Sequence, residues 1–238
     1  MKRKFMRTIM STGLIFCFVN IVSGYEVIEF PNGGSVAGTV TFTGTVPAEK
    51  PLEVSKDVEH CGTDVTSEIL MVGPDKGLKF TVIYLEGIEK GKPSDKTVKP
   101  VLDNESCRFV PHVQSATTGQ KLEIRNSDPI LHNTHAFSDQ KTFFNLALPL
   151  QDQKILKRLR ESGFMSIKCD AGHTWMSAYI AVFDHPYHTT TDEKGSFKIE
   201  NIPPGTYTLK AWHEKLGESS QEVVITEGGD KSTTFSFN

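Results

Sequence analysis

The sequence predicts an all-β chain, two sandwiches behind an N-terminal export segment, and three observations carry that expectation. Apolar and polar residues alternate in Ser35-Val-Ala-Gly-Thr-Val-Thr-Phe-Thr, Lys121-Leu-Glu-Ile-Arg and Phe164-Met-Ser-Ile-Lys-Cys, the period-two pattern of half-buried strands. Leu78-Lys-Phe-Thr-Val-Ile-Tyr-Leu is rich in the β-branched and aromatic residues that suit a pleated surface. Turn chemistry punctuates the alternation at Thr118-Gly119, at Asn126-Ser-Asp-Pro129 and at Pro203-Pro-Gly205. Ile155-Leu-Lys-Arg-Leu-Arg fits either a helical turn or a strand, with its bases read as a solvated face.

The chain opens with Met-Lys-Arg-Lys-Phe-Met-Arg, continues through an apolar run that includes Leu14-Ile-Phe-Cys-Phe-Val, and reaches Val22-Ser-Gly24. This is the layout of a secretory signal peptide, residues 1–24, expected to be cut after Gly24. The apolar run is short for a stable membrane span, and Phe16 before Cys17 disfavours lipidation; an uncleaved anchor is the alternative. Cleavage removes four of the 26 Lys and Arg and none of the 29 Asp and Glu, leaving 22 against 29. That acidic balance argues against a nucleic-acid partner, whose phosphates select basic surfaces. The expected location is the periplasm or the cell envelope, or secretion.

Three cysteines remain after cleavage, Cys61, Cys107 and Cys169, and an odd count in an oxidising compartment calls for one pair and one leftover. Cys61 is paired here with Cys107, since both lie beside strand-like segments without metal-ligand neighbours at close spacing. Pairings that use Cys169 stay open on the sequence.

The chemistry concentrates between Met165 and Phe183, where Cys169, His173 and Met176 form a Cys-x3-His-x2-Met pattern. A thiolate, two imidazoles and a weak axial thioether hold copper in a trigonal arrangement suited to one-electron transfer. Met165, Ile167 and Cys169 share one face of a strand, so the thiol points inward at its end. The second imidazole comes from Leu131-His-Asn-Thr-His135, with His132 preferred; His132 and His135 point to opposite faces of a regular strand, and both reach the metal only if the strand bulges. Asn133 is expected to brace the ligand loop by hydrogen bonding, and Trp175 to cover it as a packing aromatic or, if partly exposed, to favour a docking partner.

At these residues, over roughly Leu102 to Phe183, the sequence resembles the cupredoxins, the blue copper family of the plastocyanin and amicyanin type. The resemblance implies a Greek-key β-sandwich, one type 1 copper, and His132, Cys169, His173 and Met176 as its ligands. The loop also echoes one that holds two coppers, but Met165 stands where that loop has a second cysteine. From about Tyr187 to Phe237 the Thr191-Asp-Glu-Lys-Gly-Ser-Phe and Pro204-Gly-Thr-Tyr turns resemble the carboxypeptidase regulatory-like, transthyretin-type sandwich. Ser35–Phe42 and Leu78–Leu85 fit its earlier strands. The expected domains are therefore an N-terminal β segment at 25–98, a cupredoxin-like unit at 99–184 and a regulatory-like sandwich at 185–238. The central unit is inserted within the outer sandwich or fused against it.

No nucleophile elbow, phosphate loop or His-Glu-x-x-His helix is present in the sequence, so the chain is expected not to be an enzyme. His112, His185, His188 and His213 form no close-spaced cluster; His185-Pro-Tyr-His188 reads as a junction between modules and His60 as exposed. The expected function is electron transfer with a redox protein such as a cytochrome or a copper oxidoreductase. Copper delivery and a metal-free extracellular interaction module are the alternatives.

Overall fold

The structure, a computed structural model, describes residues 24–48, 50–139 and 141–238. The expected export segment lies outside them apart from Gly24. Among the described residues no helix is long and apolar enough to cross a membrane.

Almost all regular structure is β, in two sandwiches. The central one packs a four-stranded sheet, in the order Gln153–Arg158, Lys121–Asn126, Val101–Glu105, Arg108–Val110, against a five-stranded sheet. The latter runs Lys141–Leu148, His132–Ser138, Gly163–Lys168, Ser177–Phe183, Val113–Thr117. The alternation explains the layering. Leu122 and Ile124 of one sheet and Ala136, Met165, Ile167 and Ile180 of the other are buried in one core, each larger side chain contributing about 1.5–3 kcal/mol by leaving water. The ambiguous stretch near Ile155 is a strand, paired antiparallel with Lys121–Asn126.

The outer sandwich is assembled from both ends of the chain. Gly34–Phe42 lies between Ser196–Ile202 and Asp230–Phe237, while Val82–Glu86 lies between His188–Thr190 and Gly205–His213, which pairs in turn with Gly217–Ile225. The central sandwich thus sits between two segments that pair with each other. The Thr191–Ser196 turn shows why its glycine is there. Asp192 Oδ1 accepts the N–H groups of Lys194 and Ser196, and Gly195 has φ 70° where an added Cβ would run into the Val40 carbonyl oxygen.

Between the sandwiches lies a third apolar cluster, Phe80, Val82, Val113, Ala181 and Phe183, ringed by Tyr84, Phe164, Tyr179 and Trp212. The rings interlock, with centroids 4.6 Å apart for Phe164 and Trp212 and 4.7 Å for Tyr84 and Phe183. His188 joins this seam, Nε2 2.9 Å from Thr117 Oγ1 and Nδ1 2.8 Å from Ser115 Oγ. His213 is buried, and His112 pairs with Glu214 across the seam.

The segment around Leu52–Val65, within the expected 25–98 unit, packs on the central sandwich. Its two short strands, Leu52–Glu53 and Asp64–Val65, pair with each other, and a single helical turn, Val58–Cys61, lies between them. Val54 is buried in the core of the central sandwich, and Cys61 is disulfide-bonded to Cys107. Leu52 and Val65 pack against the same core; the disulfide is the expected one, while the packing is hidden by the polar composition of the segment.

Candidate metal centre

The strand Gly163–Lys168 delivers Cys169 at its inner end, as the face-sharing of Met165 and Ile167 requires. The loop 169–176 then returns the chain to Ser177–Phe183, closed by Met176 N–H donating to the His173 carbonyl at 3.0 Å. His132 is the first residue of its strand and lies on the buried face with Thr134 and Ala136. Side-chain donor atoms of His132, Cys169 and His173 converge, all within 4.8 Å of one another. His173 Nδ1 is 3.0 Å from His132 Nδ1 and 3.6 Å from Cys169 Sγ. Both rings are fully buried and Cys169 is 5% exposed. Met176 is buried in the same core as Cys169 and Trp175.

His135 does not join them. It lies on the opposite face of its strand, its ring nitrogens bound to Asp170 Oδ2 at 2.7 Å and Thr142 Oγ1 at 3.0 Å. The strand's irregularity falls after Ala136, too late to swing His135 inward, so the idea that both histidines reach the ion is corrected. Asn133 ties the site to the loop: its backbone N–H donates to Cys169 Sγ at 3.3 Å, and its Oδ1 accepts the Asp170 N–H at 3.3 Å. Trp175 covers the site rather than presenting a docking face. It is 8% exposed, its ring centroid lies 5.2 Å from that of His173, and its Nε1–H donates to the Cys107 carbonyl at 3.0 Å. The disulfide occupies Cys61 and Cys107, leaving Cys169 as a free thiol among the described residues.

Two carboxylates complete the arrangement, and the sequence reading passed over both. Asp128 Oδ2 lies 2.8 Å from His132 Nε2, and Asp57 Oδ2 lies 2.7 Å from His173 Nε2. Asp128 is a buried hub: it also accepts the backbone N–H groups of Ser106 and Cys107, at 2.8 and 2.9 Å, and lies 3.1 Å from His60 Nε2. The signal that could have found it is its place four residues before His132. Asp57 stands at the tip of the 52–65 segment, 116 residues from its partner.

A carboxylate accepts and does not donate, so each Nε2 must carry the proton that bridges to its aspartate. In the neutral ring Nδ1 is then an unprotonated lone pair, and the two lone pairs point at each other beside a sulfur. Burial disfavours the charge on His132, but bonds to Asp128 and Cys169 outweigh it and raise the ring's pKa. His173 is shifted down, chiefly by burial, with the nearby charge of His132 adding to it. Burial pushes the Cys169 thiol up, yet His132 and the N–H groups of Asn133 and Ala171 outweigh it and bring it down. Asp128 also resists burial: its bonds to His132, the two N–H groups and His60 hold its carboxyl well below the usual range. The pocket therefore eases loss of the thiol proton relative to a buried thiol without these partners.

The donor set fits a metal ion. Bonds of about 2.0–2.1 Å to nitrogen and about 2.3 Å to sulfur at near-tetrahedral angles put donors about 3.3 Å apart for two nitrogens and about 3.6 Å for nitrogen and sulfur. The 3.6 Å from nitrogen to sulfur matches this, and the 3.0 Å between the nitrogens is shorter, so the two rings would part slightly to admit an ion.

One family model matches residues 160–233, that of polysaccharide lyase family 4, domain II. It covers less than a third of the chain and differs from the regulatory-like sandwich suggested by the turn motifs. Among curated proteins none matches the chain. Several solved copper proteins are similar over part of it. The copper-containing nitrite reductase from Thermus scotoductus SA-01 aligns at 16% identity and TM-score 0.33, over 37% of this chain and 23% of its own. A purple cupredoxin from Nitrosopumilus maritimus aligns at 18% identity and TM-score 0.31, over 35% and 98%. Amicyanin from Paracoccus versutus aligns at 18% identity and TM-score 0.32, over 38% and 83%. This chain spans under a quarter of the nitrite reductase's length, and every one of these TM-scores is below 0.5.

Proposed function

We propose that the chain is an exported carrier of single electrons, with one type 1 copper held by His132, Cys169, His173 and, as a weak axial ligand, Met176. The observation that carries this reading is the convergence of two imidazole nitrogens and a buried thiol within 4.8 Å of one another, in the core that also holds Met176. Zinc would also accept two nitrogens and a sulfur; a thioether as fourth ligand, the role proposed for Met176, is what favours copper. Copper bound there would supply a reversible one-electron change.

The protein's own residues do the rest. His132 and His173 are fixed in ring orientation and tautomer by their aspartates, and Cys169 is held by the Asn133 N–H at 3.3 Å. Trp175 and the core exclude water, which removes a competitor for the thiolate. A ligand set locked by partners on both sides changes little when the charge of its ion changes, which keeps the barrier to transfer low. The Cys61–Cys107 bond suits an oxidising compartment outside the cytoplasm. The outer sandwich serves as a non-catalytic appendage, and a cytochrome or a copper oxidoreductase is the kind of partner expected.

Challenge of the copper-loaded protein with a Cu(I) chelator tests this function against copper delivery. An electron carrier retains its metal through repeated reduction and reoxidation; quantitative loss of metal on reduction would make the chain a delivery protein instead.

A further inference from the structure

Both candidate imidazole ligands have their outward nitrogen on a carboxylate, and the two carboxylates come from unrelated parts of the chain. Asp128 belongs to the turn before the His132 strand, and its side chain is 6% exposed. Asp57 belongs to the 52–65 segment, and its side chain is 35% exposed. That segment is fastened at three further points: Lys56 Nζ donates to the Ala171 carbonyl at 2.5 Å, His60 reaches Asp128 at 3.1 Å, and Cys61 is bonded to Cys107. Its tip is therefore held against the ligand loop.

We propose that Asp57 and Asp128 are positioning residues that set the metal's preference between its two charge states, so that the 52–65 segment is a functional part of the centre. This deepens the proposed function and rests on it. A carboxylate bonded to the far nitrogen of a ligand imidazole makes the near nitrogen a stronger donor. It also places a negative charge near the ion, little screened for the buried Asp128 and more screened for the partly exposed Asp57. With the Cys169 thiolate, the centre has three negative charges close to the ion. Both effects favour Cu(II) over Cu(I), so the pair lowers the reduction potential.

Asp57→Asn is the deciding variant, because its side chain is partly exposed and the amide oxygen can still accept the His173 Nε2–H. Affinities for Cu(II) and Cu(I) are measured separately by competition, together with the midpoint potential of the loaded protein. The expected result is a loss of about tenfold in Cu(II) affinity with Cu(I) affinity unchanged, which for a one-electron couple raises the potential by about 59 mV. Asp128→Asn, if it folds, moves the potential the same way. A potential equal to wild type, or equal losses in both affinities, overturns this inference alone and makes Asp57 merely structural. A wild-type protein that takes up no copper overturns the proposed function as well.

Discussion

Nδ1 of His132 lies 3.0 Å from Nδ1 of His173, and each ring is bound through its other nitrogen to an aspartate, Asp128 and Asp57. With both Nε2 protons committed, two facing lone pairs at this separation repel unless a proton or a cation sits between them. Metal entry should therefore release protons. Titration of Cu(II) into weakly buffered protein is expected to acidify the solution, and Cys169→Ser to reduce the release; a titration without proton release would contradict the arrangement.

Cutting the Cys61–Cys107 bond should loosen the 52–65 segment. For a loop of 46 residues the chain-entropy estimate is about 4 kcal/mol. Cys61→Ala with Cys107→Ala is expected to lower stability by about that amount in denaturant unfolding. Cys169 in the metal-free variant should also react faster with a thiol reagent, and equal reactivity would mean that the segment does not shield the site.

The histidines of the seam give stability opposing pH dependences. Burial opposes the charge on His112, but the hydrogen bond and charge of Glu214 outweigh it and raise the ring's pKa. Its contribution is full below about pH 6.5 and fades as pH rises through the raised value. Glu214→Gln is expected to remove the alkaline-side decline and lower the melting temperature most in mild acid.

On the acid side, burial pushes His185 and His213 down to about 4 and His188 down to about 3. Their folded forms are neutral, so the stability they contribute is complete above about pH 6.5 and is lost as pH falls toward those values. Each is worth on the order of 3 to 5 kcal/mol once fully lost, His188 the most. A melting series from pH 7 to pH 4 should fall steeply in wild type and less steeply in His188→Gln.

The axial position is tested by Met176→Leu, which keeps the volume and removes the thioether. The thiolate absorption of the copper form should survive, because Cys169 and the two imidazoles remain, while the midpoint potential rises as Cu(II) loses a donor. An unchanged potential would place the sulfur outside the metal's reach.

What could be read from the sequence was what depends on period and short spacing. The two-residue repeat through Met165, Ile167 and Cys169 fixes the face of the thiol, and the same rule separates His132 from His135. The strand at 34–42 was legible because its alternation is strong; the one expected at Leu78–Leu85 begins only at Val82, because the chain turns at Lys79 and Phe80, the latter at φ 64°. Asp57 was not: the Cys61–Cys107 pair was legible and ties the segment to the central sandwich, but no periodicity or spacing reports that its tip then reaches a histidine 116 residues away. Asp128 was hidden by a sufficient local explanation, since Asn-Ser-Asp-Pro already reads as a turn. The His112–Glu214 pair spans 102 residues, and no periodicity reports a contact formed only when two sandwiches meet.

Visible absorption during addition of one equivalent of Cu(II), in wild type and in Cys169→Ser, tests the proposed centre most directly. An intense thiolate-to-copper band that saturates at one ion per chain and is missing from the variant is the expected result. A colourless wild-type complex, or a band that survives the loss of the sulfur, would contradict it.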